Sequence, residues 1–256
     1  MRPALRAEAR PRDVWAWAMY DFANSGYTTV VVTALFNAYF VAVVAGGAPW
    51  ATLAWTLALG LSSALVMLVM PALGAFADLR AAKKRLLAMS TVACVATTAA
   101  LALAGRGDVA FAVAAIVLSN LFYAIGETLT AAFLPELARR EALGKVSGWG
   151  WSFGYFGGML SLGLSLGYVI WAQGQGQAAT QFVPVTMLTT AGAHGIASLA
   201  TFGLLRERAV PQDTAADGVA ASLARLRQTL REARRYRDFS WLLACAVAYQ
   251  AGIAVV

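Results

Sequence analysis

Residues 15–44 read WAWAMYDFANSGYTTVVVTALFNAYFVAVV, an apolar run with one charged side chain, Asp21. As a helix it is long enough to cross the roughly 30 Å hydrocarbon core of a bilayer. The basic segment before it, MRPALRAEARPR, gives the chain the look of a secretory signal. The run is about twice a normal signal h-region and contains Asp21 and Asn24, so a retained first span is expected. Five further stretches have the same character: residues 50–76, 86–104, 109–134, 149–171 and 182–205. A seventh begins at Ser240 and reaches only Val256, about 24 Å of helix, short of a full crossing. The expected fold class is therefore an all-α polytopic membrane protein with a six-helix amino-terminal bundle and a truncated seventh span. The expected units are residues 1–14 as a cytoplasmic segment, 15–205 as the bundle, 206–239 as a linker and 240–256 as the start of the next span. The stop inside a span favours a fragment; assembly of two copies or an inactive product are the alternatives.

Composition agrees. Of 256 residues 60% are hydrophobic and 13% charged, far from the balance of a soluble domain. The net charge of +7 does not call for nucleic acid, because the basic residues flank the apolar runs. Alternate loops hold 19 of the Lys and Arg residues against 1 in the others, which places the amino terminus and the even-numbered loops in the cytoplasm or its topological equivalent. Trp15, Trp17, Trp149, Trp151 and Trp241 lie near the cytoplasmic ends, and Trp50, Trp55 and Trp171 near the opposite ends. Cys94 and Cys245 fall in apolar segments with no CxxC or Cys/His cluster, so neither a disulfide framework nor a metal site is expected.

The linker has a polar part, VPQDTAADG, followed by ASLARLRQTLREARRYRDF. Leu223, Leu226, Leu230 and Ala233 recur there at helical spacing opposite a basic face, which predicts an amphipathic helix along the cytoplasmic surface. Packing on the protein and binding of anionic lipid both fit that helix.

Two polar stripes interrupt the spans. Asn120, Tyr123, Glu127 and Thr130 follow at steps of three and four, as do Asp21, Asn24, Ser25 and Thr28. By helix rise alone Asp21 and Glu127 lie about 9 and 12 Å inside the cytoplasmic boundary. At that similar depth they can face one cavity. The six expected spans contain no Lys or Arg, and the one histidine, His194, lies in the sixth. Glu127 is then expected to be protonated, solvated by a cavity, or paired with a transported cation or substrate. The alternative is a neutral Glu127 that hydrogen-bonds Asn120 or a neighbouring helix and serves packing alone. Asp21 is near enough to the boundary to cap, to meet water, or to meet a basic loop residue, and His194 reads as an interhelical hydrogen-bonding residue.

Gly150, Gly154 and Gly158 are spaced by four in VSGWGWSFGYFGG, as are Gly163 and Gly167, and offer flat faces for close helix approach. Between the second and third spans, GAFADLRAAKKRLL contains Gly74, Asp78, Lys83 and Lys84. Asp78 among these cations is a candidate conformational latch. Pro71 is a candidate kink in the second span.

WAMYDFANSGYTT, the acidic short loop, FLPEL and VSGWGWSFGYFGG together resemble the branch of the major facilitator superfamily that includes the fungal autophagy-linked vacuolar amino-acid effluxer and many bacterial permeases. The resemblance implies twelve helices in two six-helix bundles, transport by alternating access, and a cavity lined by spans one and four. Gly74, Asp78, Lys83 and Lys84 match the superfamily's loop motif, whereas Ala81 and Ala82 stand where a glycine and an arginine are expected. Gln250 occupies the neighbourhood where many relatives carry an acidic residue.

The expected function is a secondary active transporter, or permease, for a small polar solute such as an amino acid. Glu127 is the coupling candidate for a proton or cation, with Asp21, Asn24, Ser25, Thr28, Asn120, Tyr123 and Thr130 as cavity candidates. The expected partners are that solute, the coupling ion, the lipid bilayer and a carboxy-terminal six-helix half, in a bacterial inner membrane. No cofactor is expected, and no P-loop suggests ATP-driven pumping. An enzyme would need a clustered nucleophile, base or metal motif, and none is readable. A non-transporting membrane fragment or assembly partner is the rival reading.

Overall fold

The computed structural model describes residues 4–7, 9–209, 228, 231–232 and 236–255. Among these, six helices are long and apolar enough to cross a membrane: α1 (Pro11–Val44), α2 (Ala51–Arg80), α3 (Lys83–Leu103), α4 (Val109–Leu137), α5 (Arg140–Gly174) and α6 (Ala179–Leu204). The fold is the all-α fold of a polytopic membrane protein. A further helix, α7 (Arg237–Val255), follows, and its side chains at 237–249 are exposed. The amphipathic segment expected around Leu223, Leu226, Leu230 and Ala233 lies outside the described residues. The observed helices overrun the apolar windows into charged flanks, as α2 does to Arg80, because backbone hydrogen bonding does not stop at the hydrocarbon boundary. α2 also stays helical through Pro71.

In lipid there is little hydrophobic drive between helices, so association depends on close packing and interhelical hydrogen bonds. α1 supplies most of both. It packs along α5 and α6, while α3 sits between α4 and α6, and α2 lies on α4. Three tyrosines of α1 reach three different partners. Tyr20 Oη lies 3.1 Å from Thr91 Oγ1, Tyr27 Oη 2.8 Å from Ser119 Oγ, and Tyr39 donates to the Ala104 carbonyl at 3.0 Å. Trp17 Nε1 donates to the Thr130 carbonyl at 2.9 Å, and Thr201 Oγ1 to the Ala16 carbonyl at 2.8 Å. Each satisfies polar groups that lipid cannot.

α1 is not one regular helix. Its α-helical part, Pro11–Gly26, gives way to a π-helical stretch, Tyr27–Ala34, then a short α turn, Phe36–Tyr39, and a second π stretch, Phe40–Val44. The wider register shows in the Leu35 N–H, which bonds the Val30 carbonyl at 2.9 Å, and in the Ala45 N–H, which bonds Phe40 at 2.8 Å. The local sequence accounts for it. Residues 28–33 are β-branched throughout and crowd an α-helical turn, and the Thr28 and Thr29 hydroxyls both donate to the Ser25 carbonyl, at 3.1 and 2.8 Å. Such side-chain bonds compete with the helix ladder.

α5 meets α1 through glycines. Gly150 lies against the Trp17 ring, Gly157 against the Phe22 carbonyl, and a Cβ at Gly158 would come within 2.9 Å of Thr29 Oγ1. Gly163 and Gly167 have open space where a side chain would stand.

The basic end of the bundle is closed by a polar network. Lys83 Nζ bridges Asp78 Oδ1 at 3.2 Å and Glu136 Oε1 at 3.1 Å. Glu136 Oε2 accepts the Arg208 N–H at 3.0 Å, and the Arg208 guanidinium pairs with buried Asp13. Ala82, before α3, has no side-chain acceptor for the helix's free N–H groups. Glu207 supplies it from beyond α6, accepting the Lys83 and Lys84 N–H at 2.8 and 3.0 Å. Gly74 lies on an open face. Ala81 takes the left-handed conformation, φ 48° and ψ 50°, at a cost of about 1–2 kcal/mol for a residue with a Cβ. The position at which the resemblance expects glycine thus takes a backbone conformation that favours glycine while carrying alanine.

Gly157→Ala should drive its Cβ into the Phe22 backbone and cost about 1–3 kcal/mol, seen as a thermal midpoint in detergent several degrees lower. Gly163→Ala, on an open face, should stay within about 0.5 kcal/mol of the unaltered protein. Equal effects from the two would refute the glycine contact. Glu207→Ala should remove the remote cap of α3 and lower stability by about 1 kcal/mol, measured in the same thermal experiment.

Candidate functional site: a carboxylate cleft

Asp21, Ser25 and Thr28 from α1, Tyr123 and Glu127 from α4, and Trp151 and Tyr155 from α5 line one cleft of about 160 Å³. Helix geometry accounts for the convergence. The steps 21–25–28 and 123–127 each keep one face, and α5 comes close enough to complete the cleft because Gly154 has no side chain. A Cβ there would lie 2.9 Å from Asp21 Oδ2 and 3.0 Å from Ser25 Oγ.

The polar groups have defined partners. Ser25 Oγ donates to the Asp21 carbonyl at 2.8 Å. Tyr123, one turn before Glu127 on α4, lines the cleft together with Thr28 of α1, and its hydroxyl is the one polar atom that side chain can offer there. Its ring stacks on Tyr27 with centroids 5.0 Å apart, which fixes where that hydroxyl stands. Glu127 is exposed on this face, and Asp21 is half-buried. Among the described residues no Lys or Arg lines the cleft, so two carboxyl groups share a small recess with no basic side chain beside them. A proton, a metal cation or the ammonium group of a solute can each supply the missing positive charge. Among the described residues no group of three or more His, Cys, Asp or Glu side chains is placed to hold a metal ion.

The remaining stripe residues lie off the cleft. Asn24 is buried within the bundle and does not line the cleft. Asn120 Nδ2 donates to Ser62 Oγ on α2 at 3.1 Å, so it ties helices together and is no partner of Glu127. Thr130 is buried beside the Trp17 indole, which its carbonyl receives. His194 is buried with its ring 6.2 Å from that of Tyr20. Trp151 and Tyr155 join the cleft although the polar stripes gave no sign of them. Their rings stand edge to face at 5.9 Å, and both are exposed. Their signal in the sequence is the aromatic pair at a spacing of four, flanking Gly154.

A family model described as vacuole effluxer Atg22 like matches residues 41–256. An uncharacterized MFS-type transporter of Bacillus subtilis (strain 168), YxiO, is 26% identical over 251 residues, an alignment that covers 94% of this chain and 57% of the relative. The chain therefore spans little more than half the length of that relative. No solved structure matches.

In a background with Cys94 and Cys245 replaced by alanine, Ser25→Cys and Thr28→Cys should react with a small membrane-impermeant thiol reagent at least about tenfold faster than Asn24→Cys, because only the first two of these positions line the cleft. Equal rates would mean that α1 is rotated from the placement described.

Proposed function

The chain belongs to the family of vacuole effluxer Atg22-like proteins, and from that premise we propose that it forms the first bundle of a secondary active transporter that moves a small polar solute by alternating access. Glu127 is the coupling group in this reading. The observation that carries it is the cleft itself, where Glu127 and Asp21 face each other's charge with hydroxyls around them and no basic side chain among the lining residues. A carboxyl group so placed takes up a proton or cation from one side, crosses the conformational change without net charge, and gives it up on the other. Tyr123, one turn away on the same face of α4, adds a hydroxyl to the cleft beside it. Asp21 and Ser25 offer acceptors to the polar part of the solute, and Trp151 and Tyr155 offer ring faces to its apolar part.

An amino acid is the solute class we propose, since the branch that the sequence resembles includes a vacuolar amino-acid effluxer and the cleft combines carboxylates, hydroxyls and aromatic surface. The second bundle would come from a carboxy-terminal half, consistent with the greater length of the Bacillus relative and with α7 as the next helix in line. The 19-to-1 bias of Lys and Arg supports placing the basic end in the cytoplasm, in a bacterial plasma membrane.

The test uses the natural full-length product in liposomes loaded with a pH-sensitive dye and offered a panel of radiolabelled amino acids. An imposed proton gradient should drive accumulation of one or more of them with proton movement in step. Glu127→Gln should lower gradient-driven accumulation by at least about tenfold, a barrier change of about 1.4 kcal/mol or more, while solute exchange at equal pH persists. Accumulation by Glu127→Gln with the rate and pH dependence of the unaltered protein would sink the coupling role. Gly154→Ala, which crowds Asp21, should weaken solute exchange as well.

A further inference from the structure

A second recess, of about 710 Å³, opens at the basic end between the last turns of α2 and the first turns of α3. Leu73, Phe76, Leu86 and Met89 give it apolar walls, and Arg80 and Arg85 give it charge. We infer that this recess binds an anionic phospholipid, with its phosphate on Arg80 and Arg85 and an acyl chain along Phe76 and Met89.

Three observations converge on that occupant. The first is the charge left over. Lys83 is engaged by Asp78 and Glu136, and Lys84 Nζ donates to the Leu205 carbonyl at 2.7 Å. Arg80 and Arg85, on either side of them in sequence, have no acidic or hydrogen-bonding partner among the described residues. Both are exposed, and two guanidinium groups on one recess suit a phosphate, which they can hold through paired N–H donors. The second is the occupied helix end. The α3 N–H groups that would otherwise attract an anion are already bonded to Glu207, so an anion here depends on the arginines. The third is depth. Along α2 the exposed surface is apolar at Met67, Leu68, Val69 and Phe76 and becomes charged at Asp78, which pairs with Lys83, and at Arg80, so the boundary between hydrocarbon and headgroups falls within about one helical turn of the recess. Phe76 and Met89 are both exposed, which leaves the apolar walls open toward the lipid side. A soluble anion would use the arginines alone; a phospholipid uses arginines and walls together.

The measurement is native mass spectrometry of the purified protein from detergent containing equal amounts of palmitoyl-oleoyl phosphatidylglycerol and the matching phosphatidylcholine. The unaltered protein should retain phosphatidylglycerol in clear preference. Each basic side chain near an anionic headgroup is worth about fivefold in affinity, so Arg80→Gln with Arg85→Gln should cut that preference by roughly tenfold or more. Arg140→Gln with Arg206→Gln, two exposed basic-end residues that do not line the recess, changes the net charge equally and should leave the preference intact. Met89→Trp keeps both arginines and fills the recess, and should also reduce lipid retention. The inference is overturned if the Arg80/Arg85 variant keeps its preference, if the control pair lowers it as much, or if Met89→Trp has no effect. Displacement of the lipid by inorganic phosphate at equal concentration would reassign the site to a soluble anion. Absence of any lipid adduct would mean that further protein covers the recess, and would overturn the inference as well.

Discussion

Everything in this bundle hangs on how closely α5 can approach α1. Lipid gives helices no hydrophobic reason to associate, so contact must come from backbone surfaces that fit and from polar groups that find partners. The glycines at 150, 154, 157 and 158 remove the side chains that would hold the helices apart, and the Phe22 carbonyl and Trp17 ring occupy the space so vacated. The same approach brings Trp151 and Tyr155 beside Asp21 and Glu127. Packing and site are therefore one arrangement, in which the residue that permits contact, Gly154, also leaves room for the Asp21 carboxyl group.

The basic end is built by a different rule. There, Glu136, Glu207 and Asp13 each have more than one task. Glu136 receives both Lys83 and the Arg208 backbone, and Glu207 serves two N–H groups of a helix far away in sequence. Asp13 completes the first turn of α1 by accepting the Arg10 N–H at 3.0 Å while it pairs with Arg208. Helix ends that would each need a local cap are instead tied to one another, so the short segment after α6 fastens the starts of α1 and α3 and the end of α4.

Much of this was legible in the chain because a bilayer imposes simple demands. Spans follow from apolar length, and the shared depth of Asp21 and Glu127 follows from counting residues at a fixed rise. The rest depends on rotation and register, which periodicity leaves free. The stripe on α4 predicted Asn120 and Thr130 beside Glu127, yet a stripe with steps of three and four drifts around the helix over ten residues, and its ends turn to Ser62 and Trp17. The remote cap from Glu207 has no local signature, since its partners are more than a hundred residues away. Trp151 and Tyr155 were hidden for another reason, because near a membrane boundary an aromatic residue already has an explanation. At Ala81, where the resemblance expects glycine, the backbone is left-handed, a conformation that glycine adopts without strain.

The π-helical stretches of α1 have a consequence for the numbering of the helix itself. A widened turn takes up more residues than an α-helical one for the same angular advance, so it absorbs an insertion that a regular helix would spread along its whole length. Up to Gly26 the helix presents Asp21 and Ser25 to the cleft; beyond the stretch Tyr27–Ala34 it turns Phe36, Tyr39 and Phe40 into the core. Those two faces are phased by the widened turns between them. Straightening of the β-branched run into a regular α-helix with no residue lost would turn one face out of alignment with the other, because each residue would then advance about 100° in place of the smaller step of a widened turn. The irregular part of α1 thus acts as the joint that sets the angle between its site half and its core half.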